Sequence, residues 1–467
     1  MTEGGPRARV IVVGGGLAGL MAARTLSGYH RVTLLEARGE AGGRVRSRTD
    51  PTSRRVLEEG AELIGYAHPT WLMLARQFGL GLSVWTTEND FGALRLDMPL
   101  ELGGELLSTH QAEQVYTDMN DALEKMARAA RHSIRDPFRP WAGEEARELD
   151  AIPLSDWIAK HGGNERTRLA LEVEFANTNA APSSHQSYLA NLALFAGAAH
   201  FGEIDDFLTK SENVRCAQGN QELARRLTRS IEADGSKVRC SCPVTRIEIV
   251  SSEVHVTTEA AECLDADFVV LAIPPSLWPN SNSDIQVLPE IPAGYYMTMG
   301  SAVKYLSPCA ERFWIREGRA PYGSSDRFGM IWEGTDNQMQ ASGQDVELSV
   351  FAGGNAALEA LAAFGNGHEA AIRTFYDGKI SALYPTYAEH RSADSRFVAW
   401  PKERWTMSGY SCPAPGDVCG VGPKLQEPYH DRLYFAGEHV CLPFFGYMEG
   451  ALQSGLRAAE SILRATT

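Results

Sequence analysis

Three glycines and a glutamate near the start of the chain have the types and spacing to hold a dinucleotide. In "VIVVGGGLAGLMAARTL" (Val10 to Leu26), Gly14, Gly16 and Gly19 form G-x-G-x-x-G between a β-branched run, Arg9 to Val13, and a segment with apolar residues at helical spacing. Gly14 permits a tight turn, Gly16 leaves room for a pyrophosphate against the backbone, and Gly19 lets helix and strand approach closely. Leu17 and Ala18 open a helix whose unpaired N–H groups and positive end face the phosphates. The next strand, Val32 to Leu35, ends at Glu36, where a carboxylate takes ribose hydroxyls and disfavours a 2′-phosphate.

Two further stretches decide which dinucleotide is expected. After Glu36, Ala37 and Arg38, the run "EARGEAGGRVRS" brings Gly42, Gly43 and Arg44, a second close-approach loop with a guanidinium for phosphate. A nicotinamide enzyme has no need of it. Near the other end, "LYFAGEHVCLPFFGYMEGALQSGLRAAESI" (Leu433 to Ile462) supplies another glycine-rich turn before a helix. Only a large ligand spanning both turns accounts for the pair.

The elements that must position these residues suit an α/β chain of two domains, since 467 residues exceed one ordinary core. Residues from about 100 to 205 read as helical, notably Gln111 to Ser133 and Arg166 to Phe175. Residues 286 to 394 mix strands such as Val346 to Gly353 with a helix near Ala356 to Phe364. A net charge of −15 opposes nucleic acid and anionic membrane alike. No segment has the roughly 18 to 20 apolar residues of a spanning helix, and Met1 to Arg9 lacks the order of a secretion signal, so a cytoplasmic location is expected. The eight cysteines lack zinc-site spacing, and no metal is expected.

The sequence resembles the flavin amine oxidase family. The resemblance rests on Gly14-x-Gly16-x-x-Gly19, Glu36, Gly42-Gly43-Arg44, "EEGAELIG" (Glu58 to Gly65) and the closing "FAGE...GYMEGA". It implies a Rossmann-like FAD-binding domain of the glutathione-reductase type, built from residues 1–95, 208–285 and 395–467. An α+β substrate-binding domain, 96–207 and 286–394, is inserted into it. FAD contacts are then expected at Gly43, Arg44, Gly60, Ala61, Glu62 and Leu63, and at the backbone of Val244 beside adenine. Trp405 packs against the flavin, Gly437 and Glu438 approach the pyrophosphate and ribityl chain, Gly446 to Met448, with Tyr447 and Met448 as contacts, lie by the isoalloxazine, and Ala451 is a further cofactor contact.

The same resemblance assigns the chemistry. Lys304, in "MGSAVKYL", stands where the family holds a water against flavin N5, and burial of its ammonium makes the proton easy to lose. Tyr447 is one wall of an aromatic cage for the substrate amine and Tyr410 the nearest candidate for the other, with Phe444 and Phe445 as alternatives. Gly409-Tyr410-Ser411 occupies the place where some members attach flavin through a cysteine, and Cys412 falls two residues late, so FAD is expected to be non-covalent. His68 and His439 are read as packing histidines.

The reaction this implies is oxidation of a C–N bond, with hydride passing from a neutral amine to flavin, an imine that water hydrolyses, and H2O2 from O2. The expected partners are a small amine or amino-acid substrate and O2, with a homodimer as the candidate assembly. An α-amino-acid oxidase, another oxidative reaction on the same frame and a non-catalytic flavin-holding scaffold are the rivals. Amines are favoured over amino acids because Glu62 and Leu63 stand where an arginine would clamp a carboxylate; Arg95 is the alternative clamp.

Overall fold

The computed structural model describes residues 7–50, 55–200, 207, 210–278, 285–338, 344–365 and 367–467. Residues 1–6, part of the stretch read for a secretion signal, lie outside them.

The β-branched run Arg9–Val13 is the centre of a five-stranded parallel sheet. Its order is Leu433–Phe435, Phe268–Leu271, Arg9–Val13, Arg31–Leu35, Lys237–Arg239. Val10 to Val13 are buried on both faces, as a parallel strand covered by helices must be. On one face lie the helix Leu17–Ser27 and, packed along it, the last helix, Met448–Ala465. Gly455 makes that contact possible: a Cβ there would stand 2.1 Å from the Ala18 carbonyl oxygen. Residues more than 400 positions apart thus form one layer, and the Rossmann-like frame is present.

A second sheet of four strands carries Val244–Val250 between Glu253–Thr258 and Gln286–Leu288, with Cys263–Ala266 at its edge. The third sheet has seven strands, in the order Arg396–Ala399, Ala302–Glu311, Gln344–Gly353, Gly329–Glu333, Tyr322–Ser325, Leu100–Leu102, Glu105–Leu106. Strand Arg396–Ala399 pairs with Ala302–Glu311, so this sheet runs past the boundary at residue 394 drawn on the sequence. Helices flank it. Thr109–Ser133 begins at a capping box in which Ser108 and Gln111 satisfy each other's backbone N–H groups. Glu165–Asn179 starts at Asn164, whose side chain accepts from the Thr167 N–H. Among the described residues no helix is long and apolar enough to cross a membrane.

Candidate active site

One cavity of ≈ 600 Å³ runs from the first glycine turn to the third sheet. The residues expected on the sequence to contact FAD, together with Lys304, Tyr410 and Tyr447, border it except Gly19. Gly19 works behind the wall: a Cβ on it would lie 2.0 Å from the Gly14 carbonyl oxygen. Gly14 holds φ +105°, a backbone few side chains tolerate.

Three features of this chain fit FAD. Gly16 has nothing within 4 Å of the position a Cβ would take, so its bare face opens onto the cavity. The helix that follows has no side-chain cap, leaving its first N–H groups for a ligand. His439, buried and bordering the same cavity, has no hydrogen-bond partner on either ring nitrogen among the described residues. Burial, partly offset by Glu438, pulls its imidazole down to about 4, so it is neutral, with one donor and one acceptor to offer. His68 is the satisfied histidine that the sequence reading expects, accepting the Gly65 N–H at 2.9 Å. His439 departs from that reading.

Glu36 borders the cavity and accepts from the Gly15 N–H at 2.6 Å and the Arg38 N–H at 2.7 Å. Cys242, just before Val244, donates its N–H to the Glu36 carbonyl, which ties the second sheet to this point. Glu438 joins the two glycine turns. It takes Arg44 Nη1 at 2.7 Å, the Ser411 N–H at 3.1 Å, the Ser411 hydroxyl and the Gly446 N–H at 2.7 Å. Burial alone would raise its carboxyl, but Arg44 and these donors hold it below the usual range.

Lys304 lies on the strand Ala302–Glu311, second from one edge of the third sheet, and is 2% exposed. Its Nζ donates to Glu62 Oε2 at 2.6 Å, the Glu58 carbonyl at 2.8 Å and the Gly60 carbonyl at 3.3 Å. All three donors are thereby committed, and burial comes with a carboxylate partner that the expectation of a readily lost proton left out. Glu62 also meets Arg215 Nε at 2.8 Å and accepts from Trp332 Nε1 at 3.0 Å. Burial would push Glu62 up, yet Lys304 and Arg215 hold it down. Two cations, Lys304 and Arg215, thus already balance the charge of Glu62. Arg95 is exposed and does not border the cavity, so it supplies no clamp.

Tyr410 and Tyr447 both border the cavity. The Tyr410 hydroxyl donates to the Asn177 carbonyl, and its ring edge packs against Gly446, where a Cβ would approach to 2.9 Å. Tyr447 crosses the His68 ring at 5.3 Å. Phe444 and Phe445 do not border the cavity, and neither does the buried Cys412. Trp405 does, with the Arg404 guanidinium 4.1 Å from its ring.

Sequence reading missed several residues here. Trp85, Trp332, Phe351 and Tyr410 form a row with successive ring centroids 6.0, 6.3 and 6.4 Å apart. Glu174, on the helix Glu165–Asn179, and Glu212 border the cavity beside the tyrosines. Glu212 keeps much accessible surface, which faces the cavity while protein surrounds the carboxyl. That confinement, with the charges of Glu174 and Glu62, pushes it up to about 7.

Known proteins agree with this geometry. The profile of the family described as flavin containing amine oxidoreductase matches residues 17–463. A flavin-containing amine oxidase of Danio rerio is 26% identical over 473 residues, 97% of this chain and 85% of that relative. A probable flavin-containing monoamine oxidase A of Dictyostelium discoideum is 24% identical, covering 97% of each chain. Among solved structures, a putrescine oxidase bound to putrescine superposes with TM-score 0.80 at 20% identity, over 98% of this chain and 99% of that one. A cyclohexylamine oxidase from Brevibacterium oxydans gives TM-score 0.80 at 21% identity with the same coverage. The glycine turns, the flavin-sized cavity and the family profile lead to one conclusion: this chain belongs to the flavin-containing amine oxidoreductases, and is an FAD-dependent enzyme that oxidises amines.

Proposed function

We propose that the substrate is a primary or secondary amine without an α-carboxylate, oxidised at its C–N bond between Tyr410 and Tyr447. One observation carries this reading. Among the described residues the cavity's cations, Arg38, Arg44 and Lys304, lie beside carboxylates, while two acidic side chains, Glu174 and Glu212, border the cage end. A carboxylate brought there would lose water beside like charge, at a cost of a few kcal/mol.

Bound FAD supplies the hydride acceptor and, with O2, the route to H2O2. The residues of the chain do the rest. Gly14, Gly16 and the uncapped helix hold phosphates, Glu36 the ribose and Glu438 the junction of the two glycine turns. Lys304, fixed by Glu62 and two carbonyls, sets the loop Gly60–Leu63 against the flavin side of the cavity. The tyrosine rings orient the amine, and the aromatic row keeps the approach dry. The buried position of Cys412, away from the cavity, supports non-covalent FAD. Eight unpaired cysteines support a reducing, cytoplasmic setting.

A peroxide assay comparing benzylamine with phenylglycine tests the reading. Higher kcat/KM for benzylamine is expected; preference for the amino acid overturns it.

A further inference from the structure

An amine meets the enzyme in water mostly as an ammonium ion, since alkylamines hold their proton to about pH 10. In that form the nitrogen electron pair is locked in an N–H bond and cannot support loss of hydride from the adjacent carbon. Some group must take the proton. The cavity offers few: Lys304 donates through all three hydrogens, Glu62 and Glu438 are each bound to cations, and Glu36 accepts two backbone N–H groups at the distant ribose end.

Glu212 differs from all of these. Its segment is bolted to the loop that precedes the flavin side of the cavity: Asn213 and Val214 both donate to the Ile64 carbonyl, and Ala67 donates to that of Lys210. A Cβ on Gly65 would lie 2.2 Å from the same Lys210 carbonyl, so the two strands of chain touch. Glu212 is thereby fixed, yet among the described residues its carboxylate has no hydrogen-bond or ion-pair partner, and its open side is the cavity. After burial, its charge does most to raise the phenols of both Tyr410 and Tyr447.

We propose that Glu212 is a catalytic residue whose carboxylate receives the proton of the incoming substrate ammonium, so that the amine stands neutral between Tyr410 and Tyr447. The inference rests on the amine-oxidase reading of this cavity. In the step one N–H bond of the ammonium breaks and one O–H bond forms on Glu212. The nitrogen keeps its electron pair, and nothing is oxidised. A separated pair of charges becomes two neutral groups, which a site with little water favours.

The surroundings set the acceptor's strength. Glu174 faces it from the helix Glu165–Asn179, and Glu62 from the adjoining loop, where Lys304 and Arg215 already balance its charge. The phenols of Tyr410 and Tyr447 lie on the cage side, and Lys210 precedes it in its own segment. Confinement and the two acids raise its carboxyl to about 7, so it is about half ionised at neutrality, ionised in mildly alkaline solution, and holds a proton more firmly than a surface carboxylate would.

Two measurements on the FAD-loaded enzyme test this. The first is kcat/KM for benzylamine against pH. The wild type should rise through about 7, whereas Glu212→Gln must draw neutral amine from solution, so its rise should move toward pH 10. At pH 7.5 that leaves about one part in three hundred of the amine in usable form, and a loss of about two to three orders of magnitude that alkali restores. Glu174→Gln should shift the wild-type rise to lower pH. The second is calorimetry of cumylamine, whose amine carbon bears no hydrogen, in buffers of different ionisation enthalpy at pH 8.5. The wild type should release almost no proton to buffer and Glu212→Gln about one per amine bound. A pH profile unchanged in Glu212→Gln, equal proton release from both proteins, or a loss confined to diamines overturns the assignment. The calorimetric arm judges Glu212 without turnover, so failure of the oxidase reading would be seen separately as an absence of flavin reduction by any amine.

Discussion

Gly16 and Gly19 belong to one motif, yet the structure gives them separable duties. Gly16 sits at φ −69° and ψ 174°, ordinary extended backbone, and nothing lies within 4 Å of an added Cβ. Gly16→Val should therefore fold. On the protein side it loses only a favourable residue at a helix start, about 0.5–1 kcal/mol, a drop of one or two degrees in Tm for a chain this long. On the cofactor side its methyls fill the space where a pyrophosphate must approach the helix N-terminus. Losing two hydrogen bonds to a charged group costs about 3–6 kcal/mol, or roughly 10²- to 10⁴-fold in Kd. Gly19→Ala does the reverse, because its methyl would strike the Gly14 carbonyl at 2.0 Å and push the helix off the sheet. Overpacking of that kind destabilises by about 1–3 kcal/mol even without cofactor. Apoprotein melting and titration with FAD, followed by flavin fluorescence, separate the two. Near wild-type FAD affinity in Gly16→Val, or an apoprotein Tm lowered as far as in Gly19→Ala, would refute the reasoning.

Other consequences are as direct. Lys304→Met should retain FAD but slow turnover, and it should also lower Tm, because Glu62 keeps Arg215 and Trp332 but loses one cation; unchanged half-reactions and Tm would show that the pair is idle. Tyr447→Ala should reduce kcat/KM for amines at least tenfold while changing FAD affinity less, as expected for one wall of a cage, and equal losses in both would favour simple packing. Glu347 is fully buried on the strand Gln344–Gly353, and burial raises its carboxyl to about 8. The folded state then keeps a proton that the unfolded chain releases above about pH 4.5, so this group makes stability fall as pH rises from about 5 to 8. Glu347→Gln should flatten that slope by up to about 1.4 kcal/mol per pH unit in pH-dependent urea melts, and an unaltered slope would place the proton elsewhere. Acid or heat should release yellow FAD into the supernatant, and flavin that stays with the pellet would contradict non-covalent binding.

The nucleotide end of the site was legible because it is local. A strand, a glycine turn and a helix lie within residues 9–27, and Glu36 ends the neighbouring strand, so spacing alone carries the geometry. The closing turn was legible once a ligand long enough to span both was inferred. The substrate end gave no such signal. Trp85, Glu174, Glu212 and Trp332 come from four separate segments, and nothing in the flanking residues of any one marks it as facing a cavity. Lys304 was placed but not its partners, since Glu62 and Arg215 reach it only through contacts between separate sheets and loops. His439 was misjudged because a histidine's satisfaction depends on neighbours that sequence spacing does not supply.

The bridge between Arg44 and Glu438 joins residues 394 apart in the chain. Its consequence lies in biosynthesis. A ribosome delivers residues in order, and the strand Arg9–Val13 is exposed long before Leu433–Phe435 can take its place at the edge of the same sheet. Until then the wall formed by Gly437, Glu438 and Tyr447 is missing, and no nascent intermediate short of it has the complete flavin cavity. A complete flavin cavity therefore awaits the synthesis of residues 437–447. The half-built pocket spends that interval with Val10 to Val13 poorly covered, a window in which chaperones have something to bind.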